Sequence, residues 1–328
     1  MMISDQKGSL RDQASKLRDR RGSAAADERR TGGPLEGKPL EGGLKPPFVG
    51  GTPNGGRVRR LAVTSGKGGV GKSNVSLNLG LCFRRLGRRT LLVDADANLA
   101  NIDILLGINP KYTLADVVLK GKFLQDILID GPEGLRILPA GSGVVEMVGL
   151  DGIAAERLER SLGDLEREQD LIILDTGAGI SEGVVGLASA SDEVIIVTTP
   201  EPTAITDAYA AIKVITARNA AVKLYLLVNQ AHSREEAEEV ARKIKLVVEN
   251  YLSLSVESLG YLPQDPHLPK AVSRQTPLLQ AFPRSPAAVA LMGVARRLLR
   301  MPAPPERTPA GLFRQLFVAK PPLRGATR

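Results

Sequence analysis

The stretch "SGKGGVGKSN", residues 65–74, decides the fold of this chain of 328 residues. It matches the pattern G-x-x-x-x-G-K-[ST] at every fixed position, with Gly66, Gly71, Lys72 and Ser73 in place. An apolar run, "RLAVTS" (60–65), precedes it and a helix-like segment (73–86) follows, which is the context that a phosphate-binding loop requires. The stretch therefore predicts a P-loop at the junction of a strand and a helix.

The P-loop predicts how the phosphates of a nucleotide are held. Its glycines let backbone N–H groups curl around phosphate oxygens, and the N-terminus of the following helix adds its dipole. Lys72 is expected to reach the β- and γ-phosphates, and the Ser73 hydroxyl is expected to coordinate Mg²⁺. The predicted nucleotide-binding residues of the loop are Gly66, Gly68, Gly69, Val70, Gly71, Lys72, Ser73 and Asn74.

Six more apolar runs follow the loop: "RTLLVDAD" (89–96), "LRILPAG" (135–141), "DLIILDT" (170–176), "EVIIVTTP" (193–200), "KLYLLVNQ" (223–230) and "SLGYLP" (258–263). They are continuous and aliphatic, which is typical of parallel strands buried on both faces. Helical candidates, such as 73–86, 153–168, 203–217 and 233–250, alternate with them, and Thr203 and Ser233 are the expected N-caps. The series predicts an α/β fold: a three-layer α/β/α P-loop domain around a mostly parallel sheet.

The formal net charge of +8 belongs to the two ends of the chain. Residues 1–60 hold 13 Lys and Arg against 7 Asp and Glu, residues 295–328 hold 8 against 1, and the remainder carries a net charge of −5. Because the central part lacks a basic excess and aromatic residues are 3% of the chain, nucleic acid is not an expected partner. The single cysteine, Cys82, excludes a disulfide within the chain and a cysteine-ligated cluster, and it fits a reducing cytoplasm.

A second lysine, Lys67, lies too far around the loop to duplicate the role of Lys72. A positive charge at this position can face outward, toward a second copy of the same loop. The pattern K-G-G-x-G-K-[ST] (67–73) resembles the deviant P-loop of the MinD/ParA family of dimerising ATPases. In that family the additional lysine crosses the dimer interface to the partner's phosphates, so the resemblance implies an ATP-dependent homodimer. A cation supplied in trans raises the rate roughly 10³–10⁵-fold in other phosphotransfer enzymes.

The resemblance also assigns roles to carboxylates. In "LLVDADANLANIDILLG" (91–107), Asp96 matches the switch carboxylate that orients the attacking water, and Asp94 would be an outer-shell ligand of Mg²⁺. "IILDTGAGI" (172–180) has the Walker B pattern of an apolar strand that ends in Asp, so Asp175 would hold Mg²⁺ through water. Gly177 and Gly179 would let the backbone approach the γ-phosphate. The expected catalytic residues are Lys67, Lys72 and Asp96, and the expected metal site consists of Ser73, Asp94 and Asp175.

Two later strand ends would surround the base of the nucleotide. By resemblance, Asn229 in "LLVNQ" (226–230) would hydrogen-bond adenine, and Pro263 and Gln264 in "GYLPQD" (260–265) would flank it. The guanine motif [TN]-K-x-D does not occur at this place, since Gln-Ala-His follows Asn229. ATP is therefore the expected nucleotide rather than GTP.

The N-terminal segment resembles one branch of the family, the FlhG (FleN or YlxH) regulators of flagellar number. "DQASKLR" (12–18) is similar to the activator motif D-Q-A-x-x-L-R, which in that branch stimulates the signal-recognition-type GTPase FlhF. Gln13 would reach the GTPase site, and Leu10, Ala14 and Leu17 at i, i+4 and i+7 would form one apolar helix stripe. The expected partner-binding residues are Asp12, Gln13, Leu17 and Arg18. The alternative is a charged tail without a function.

The C-terminal segment "AGLFRQLFVAK" (310–320) is similar to the membrane-targeting helix of MinD and FlhG. Basic residues flank its apolar face and favour anionic lipid. One copy of the segment would bind the membrane only marginally, whereas the two copies on a dimer would bind it stably. Because the expected dimer requires ATP, membrane attachment would depend on ATP. The alternative is that the segment folds back on its own domain. The residues expected to enter the membrane are Leu312, Phe313, Leu316 and Phe317.

These patterns predict five regions: an activator segment (1–21), a Gly/Pro-rich linker (22–57), a MinD-like ATPase domain (58–300), a second linker (301–309) and an amphipathic tail (310–328). The expected protein is a slow, dimer-dependent ATPase in the cytoplasm, peripheral at the inner face of the cell membrane. It would regulate flagellar number or placement, stimulate an FlhF-like GTPase and contact flagellar C-ring proteins.

Two alternatives stay open from the sequence. The first is a ParA- or MinD-type ATPase that serves chromosome partition or division-site positioning. The second is a scaffold with an inactive ATPase site, against which the intact Lys67, Lys72, Asp96 and Asp175 argue.

Overall fold

Eight strands form one sheet in the part of the chain that the structure, a computed structural model, describes: residues 58–96, 101–140 and 152–302. The strands are β1 (Arg59–Ser65), β2 (Thr90–Ala95), β3 (Ile129–Asp130), β4 (Arg136–Pro139), β5 (Leu171–Ala178), β6 (Glu193–Thr198), β7 (Lys223–Ala231) and β8 (Glu257–Pro263). Their order across the sheet is β3-β4-β2-β5-β1-β6-β7-β8. All neighbours are parallel except β3, which is antiparallel to β4. The mostly parallel sheet is confirmed, and the short edge strand β3 was not predicted.

Helices cover both faces of this sheet. In the described residues they are α1 (Lys72–Arg85), α2 (Ile102–Leu106), α3 (Leu114–Lys120), α4 (Gly152–Arg167), α5 (Glu182–Ala190), α6 (Pro202–Arg218), α7 (Arg234–Leu252), α8 (His267–Ser273), α9 (Leu278–Ala281) and α10 (Pro286–Arg300). Leu61 packs in one core with α1, α2 and α8–α10, while Ala62 packs in the other with α3–α7. Because successive strand residues face opposite sides, both faces are buried, and the three-layer α/β/α fold is confirmed.

The sheet register brings the predicted site residues together at the carboxyl ends of the central strands. β1 lies between β5 and β6, so the loop that follows β1 begins at the carboxyl end of the sheet centre. On the neighbouring strands Asp94 of β2 pairs with Asp175 of β5, and Asp175 also pairs with Val63 of β1. Ligands of open parallel sheets bind at the carboxyl ends of the strands, at the point where the strand order reverses.

The two expected N-caps have different outcomes. The Ser233 hydroxyl accepts a hydrogen bond from the N–H of Glu236 at 3.1 Å and caps α7, as predicted. Thr203 as the N-cap of α6 is wrong, because the helix begins at Pro202 and Glu201 is its N-cap. Proline suits the first helical position, since its φ is already helical and the N–H that it lacks has no helical partner there. Thr203 therefore lies in the first turn.

Several predicted segments lie outside the described residues. They are the activator segment (1–21), the linker (22–57), most of the second linker (301–309) and the amphipathic tail (310–328). Among the helices of the described ranges, none combines the length and the apolar character needed to cross a membrane.

Candidate functional site

The P-loop forms the turn from β1 to α1. Gly71 is the N-cap of α1 with φ 92°, and Gly69 has φ 78°, conformations that strain any residue with a side chain. The Ser65 hydroxyl donates to the carbonyl of Lys67 at 2.6 Å and fixes the start of the loop. No side chain caps α1, so its first N–H groups remain available to an anion.

Asp175 is the buried carboxylate of the site. It lies inside β5, three residues before the strand ends at Ala178, rather than at the end of the strand as predicted. Its Oδ1 accepts from the Ser76 hydroxyl at 2.8 Å, whereas its buried Oδ2 has no hydrogen-bond partner within the described protein. Burial raises the pKa of Asp175 to about 6, against the lowering effects of Ser73, Ser76 and Lys72. A buried carboxylate oxygen without a donor suits a hard cation or its water shell, so Asp175 and Ser73 fit Mg²⁺.

Asp94 holds the segment that follows β2. Its buried carboxylate accepts hydrogen bonds from the backbone N–H groups of Asp96 at 3.4 Å and of Asn101 and Ile102 at 3.2 Å each. Burial and the charge of Asp175 raise the pKa of Asp94 to about 7, while these three N–H groups lower it. Asp94 therefore fixes the backbone around Asp96, a task that sequence reasoning did not assign to it.

Asp96 lies against Gly177 of β5. A methyl group on Gly177 would stand 3.4 Å from Oδ1 of Asp96 and 3.2 Å from Cγ2 of Val184. A methyl group there would make only ordinary van der Waals contact with Asp96, so the carboxylate that is expected to orient water lies directly beside the backbone of β5.

Lys72 lies on the same side of the loop as these carboxylates. Its side chain is buried, and burial lowers its pKa while the charges of Asp175 and Asp96 raise it. A positive charge there compensates the acidic groups and suits the β- and γ-phosphates.

Lys67 has its contacts at the N-terminus of α6. Its Nζ donates to Oε2 of Glu201 at 2.5 Å and to the Thr203 hydroxyl at 3.0 Å, both at the N-terminus of α6. The loop backbone also touches α6, because a methyl group on Gly66 would lie only 2.0 Å from the carbonyl oxygen of Asp207. The two lysines therefore have different neighbours, and Lys67 is not directed at the carboxylates around Lys72.

A cavity of about 410 Å³ adjoins the loop at the ends of β7 and β8. Asn74, Asn229, Pro263 and Gln264, all predicted nucleotide-binding residues, line it together with Leu262, Asp265, Pro266, Leu268 and others. A mainly apolar pocket with a few amides suits a purine base. Asn229 also holds the loop, since its Nδ2 donates to the carbonyl of Val70 at 2.7 Å and its Oδ1 accepts from the N–H of Gln230 at 2.9 Å.

Sequence reasoning missed two residues of the site. Ser76, which binds Asp175, lies one helical turn after Ser73, and this i, i+3 spacing on α1 is the signal that could have found it. Glu201 meets Lys67 across 134 positions of the chain, and no local pattern predicts such a pair.

Known proteins are similar to this chain in sequence and fold. A family model described as an AAA domain matches residues 58–226. The antiactivator FleN of Pseudomonas aeruginosa is 43% identical over 247 residues, which cover 75% of this chain and 88% of FleN. The flagellum site-determining protein YlxH of Helicobacter pylori is 36% identical over 233 residues, 70% of this chain and 78% of YlxH. The chain belongs to the FleN/YlxH branch of the MinD/ParA family.

This FleN-type chain also resembles a solved structure in its fold. The septum site-determining protein MinD of Pyrococcus horikoshii, solved with Mg-ADP, is 25% identical with a TM-score of 0.60, over 74% of this chain and 97% of that protein. The FleN-type chain is an ATPase, with ATP and Mg²⁺ as its cofactors, as predicted. The residues present fit both, with Ser73 and Asp175 to hold Mg²⁺, whose positive charge would stabilise the β- and γ-phosphates.

Proposed function

We propose that this FleN-type ATPase forms a homodimer when it binds ATP, and that Lys67 of each chain contacts the nucleotide of the other. The observation that carries the proposal is the separation of the two lysines. Lys72 is buried beside Asp175 and Asp96, whereas Lys67 is partly exposed and bound at the N-terminus of α6. A single chain then lacks one cation of the site, so hydrolysis is slow and depends on the partner.

Within each site the residues divide the chemistry. The N–H groups of the loop and Lys72 bind and orient the phosphates. Asp96, seated over Gly177 and held by the Asp94-bound backbone, orients the attacking water. The cavity bordered by Asn229, Pro263 and Gln264 takes the adenine base.

The biological role that we infer is the regulation of flagellar number or placement. It is supported by the similarity to FleN, which is named an antiactivator, and to YlxH, which is named a flagellum site-determining protein. We also propose the five regions predicted from the sequence, with contacts to an FlhF-like GTPase through Asp12, Gln13, Leu17 and Arg18 and to flagellar C-ring proteins. The amphipathic tail would attach the ATP-bound dimer to the inner face of the cell membrane.

The ATPase part of the proposal is tested by turnover against protein concentration. The full chain should show a rate per subunit that rises with concentration, and Lys67→Ala and Lys72→Ala should both abolish the rise. A rate per subunit that is independent of concentration would contradict the dimer.

The regulatory part is tested with an FlhF-like GTPase. The full chain should stimulate GTP hydrolysis, and Gln13→Ala should remove the stimulation while its own ATP hydrolysis persists. Equal stimulation by the wild type and by Gln13→Ala would remove the activator segment from the proposal.

The membrane role of the tail is tested by co-sedimentation with phosphatidylglycerol vesicles, which should require ATP and be lost in Phe313→Glu. Binding that survives this substitution would refute the role of the tail.

A division-site role is the second candidate, supported by the similarity to the septum site-determining protein MinD. The higher identity to FleN favours the flagellar role. Deletion of the gene should change the number or position of flagella, whereas minicells with normal flagella would support the second candidate.

A further inference from the structure

We propose that Glu201 and Thr203 are positioning residues for Lys67, which hold its ammonium group on its own chain until a second copy presents a nucleotide. This proposal rests on the homodimer proposed above, in which Lys67 acts in trans. It adds a step that dimer formation must include, because each Lys67 must leave one set of acceptors to reach another.

The contacts define the resting position of the ammonium group. An ammonium group has three N–H donors, and Lys67 uses two of them, toward Oε2 of Glu201 at 2.5 Å and Oγ1 of Thr203 at 3.0 Å. Packing sets the spacing of these groups, since the backbone at Gly66 lies against the backbone of α6 with no room for a methyl group. Lys67 therefore meets these acceptors without any movement of the loop or the helix.

Because Glu201 lies at the N-terminus of α6, its negative charge determines whether this helix end attracts Lys67. The N-terminus of a helix carries a partial positive charge, which repels a cation. Glu201 is the N-cap of α6, and its carboxylate makes this otherwise unfavourable position attractive to Lys67. Without that carboxylate the helix end and the lysine would repel each other, so neutralising Glu201 should release Lys67.

Because the ion pair of Lys67 and Glu201 is exposed, Lys67 can exchange Glu201 for another anionic partner. The side chains of Lys67 and Glu201 are 38% and 63% exposed. Exposed pairs of this kind change an equilibrium constant by only about 1.4- to 5-fold, so the phosphates of a nucleotide can outcompete them. Because two such contacts must break when a dimer forms, removal of Glu201 should tighten dimer formation about 2- to 25-fold.

The experiment measures the dimer dissociation constant of the full chain by analytical ultracentrifugation with Mg²⁺ and a non-hydrolysable ATP analogue. The variants are Glu201→Gln, Thr203→Val, Lys67→Ala and the control Glu235→Gln. The control removes the same charge from the first turn of another helix, α7, where Glu235 is exposed. Thermal melting without nucleotide verifies that each variant is folded.

Glu201→Gln should lower the dissociation constant by the stated factor, Thr203→Val should lower it by a smaller factor, and Glu235→Gln should leave it unchanged. If Glu201→Gln weakens the dimer or leaves it unaltered while Lys67→Ala abolishes it, the holding role is wrong and the trans role of Lys67 stands. If Lys67→Ala dimerises like the wild type, the proposed function itself fails.

Discussion

Asn229 joins the base cavity to the P-loop, and its removal should therefore affect the binding of phosphates as well as of adenine. Its Nδ2 donates to the buried carbonyl of Val70 at 2.7 Å, and Asn229→Ala leaves that carbonyl without its donor. An unsatisfied buried group of this kind costs about 1–3 kcal/mol. If the loop must recover its shape on binding, the affinity for any triphosphate should fall about 5- to 150-fold.

The assay compares three ligands by isothermal titration calorimetry: ATP, GTP and inorganic tripolyphosphate, which has no base. Asn229→Ala should weaken all three, with an additional loss for ATP if the amide also contacts adenine. Gln264→Ala is the matched control, because this amide lines the same cavity but makes no hydrogen bond to the loop among the described contacts. It should leave tripolyphosphate binding unchanged. A loss in Asn229→Ala that is confined to ATP would refute the loop-holding role.

Three further substitutions test the packing and charge of the site. Gly66→Ala puts a methyl group 2.0 Å from a backbone oxygen of α6, so it should lower the free energy of unfolding, measured in urea, by about 1–3 kcal/mol. In the control Gly68→Ala the methyl group has no neighbour within 4 Å, and the free energy of unfolding should change by less than about 0.5 kcal/mol. Equal losses in the two variants would contradict the contact between Gly66 and α6. Gly177→Ala adds a methyl group in ordinary van der Waals contact with Oδ1 of Asp96, at 3.4 Å, so kcat should change by less than about threefold. A roughly tenfold loss of kcat in a folded variant would show that the carboxylate needs the open space at Gly177. In EDTA without nucleotide, the pKa of about 7 at Asp94 lies above its unfolded value, so the folded chain binds an additional proton between about pH 4 and 7, and its melting temperature should fall as the pH rises through that range. Asp175, whose pKa is raised to about 6, contributes to the lower part of this fall, so Asp94→Asn should reduce the fall most between about pH 6 and 7. Profiles of variant and wild type that run parallel between about pH 6 and 7 would show that Asp94 is not the source there.

Much of the fold could be predicted because its determinants are local in the sequence. Continuous aliphatic runs mark strands buried on both faces, and each predicted run corresponds to a strand. Ser233 was identified as an N-cap because capping depends on the three residues that follow. The two-residue strand β3 carries too short a pattern to be detected, and it exists because β4 offers an edge to pair with.

The site residues that belong to a local sequence motif could be predicted. The contacts between segments that are far apart in the sequence could not. The P-loop and Asp175 follow from spacing and an apolar strand. The partner of Lys67 is Glu201, and the partner of Asn229 is the carbonyl of Val70, 159 positions away. These pairs depend on how α6 and β7 pack beside β1, which local periodicity does not encode. Thr203 was predicted as a cap because its residue type fits, but Pro202 determines where the helix begins.

The central claim, that Lys67 serves the nucleotide of the partner, is tested most directly by mixing two inactive chains. Lys67→Ala retains Asp96, and Asp96→Ala retains Lys67, so each should be nearly inactive alone. In a mixed dimer the Lys67→Ala chain has an intact Asp96 and receives Lys67 from its partner. An equimolar mixture should therefore recover ATPase activity, up to about a quarter of the wild-type rate, which is the value for random pairing. A mixture no more active than its two components would contradict a role in trans.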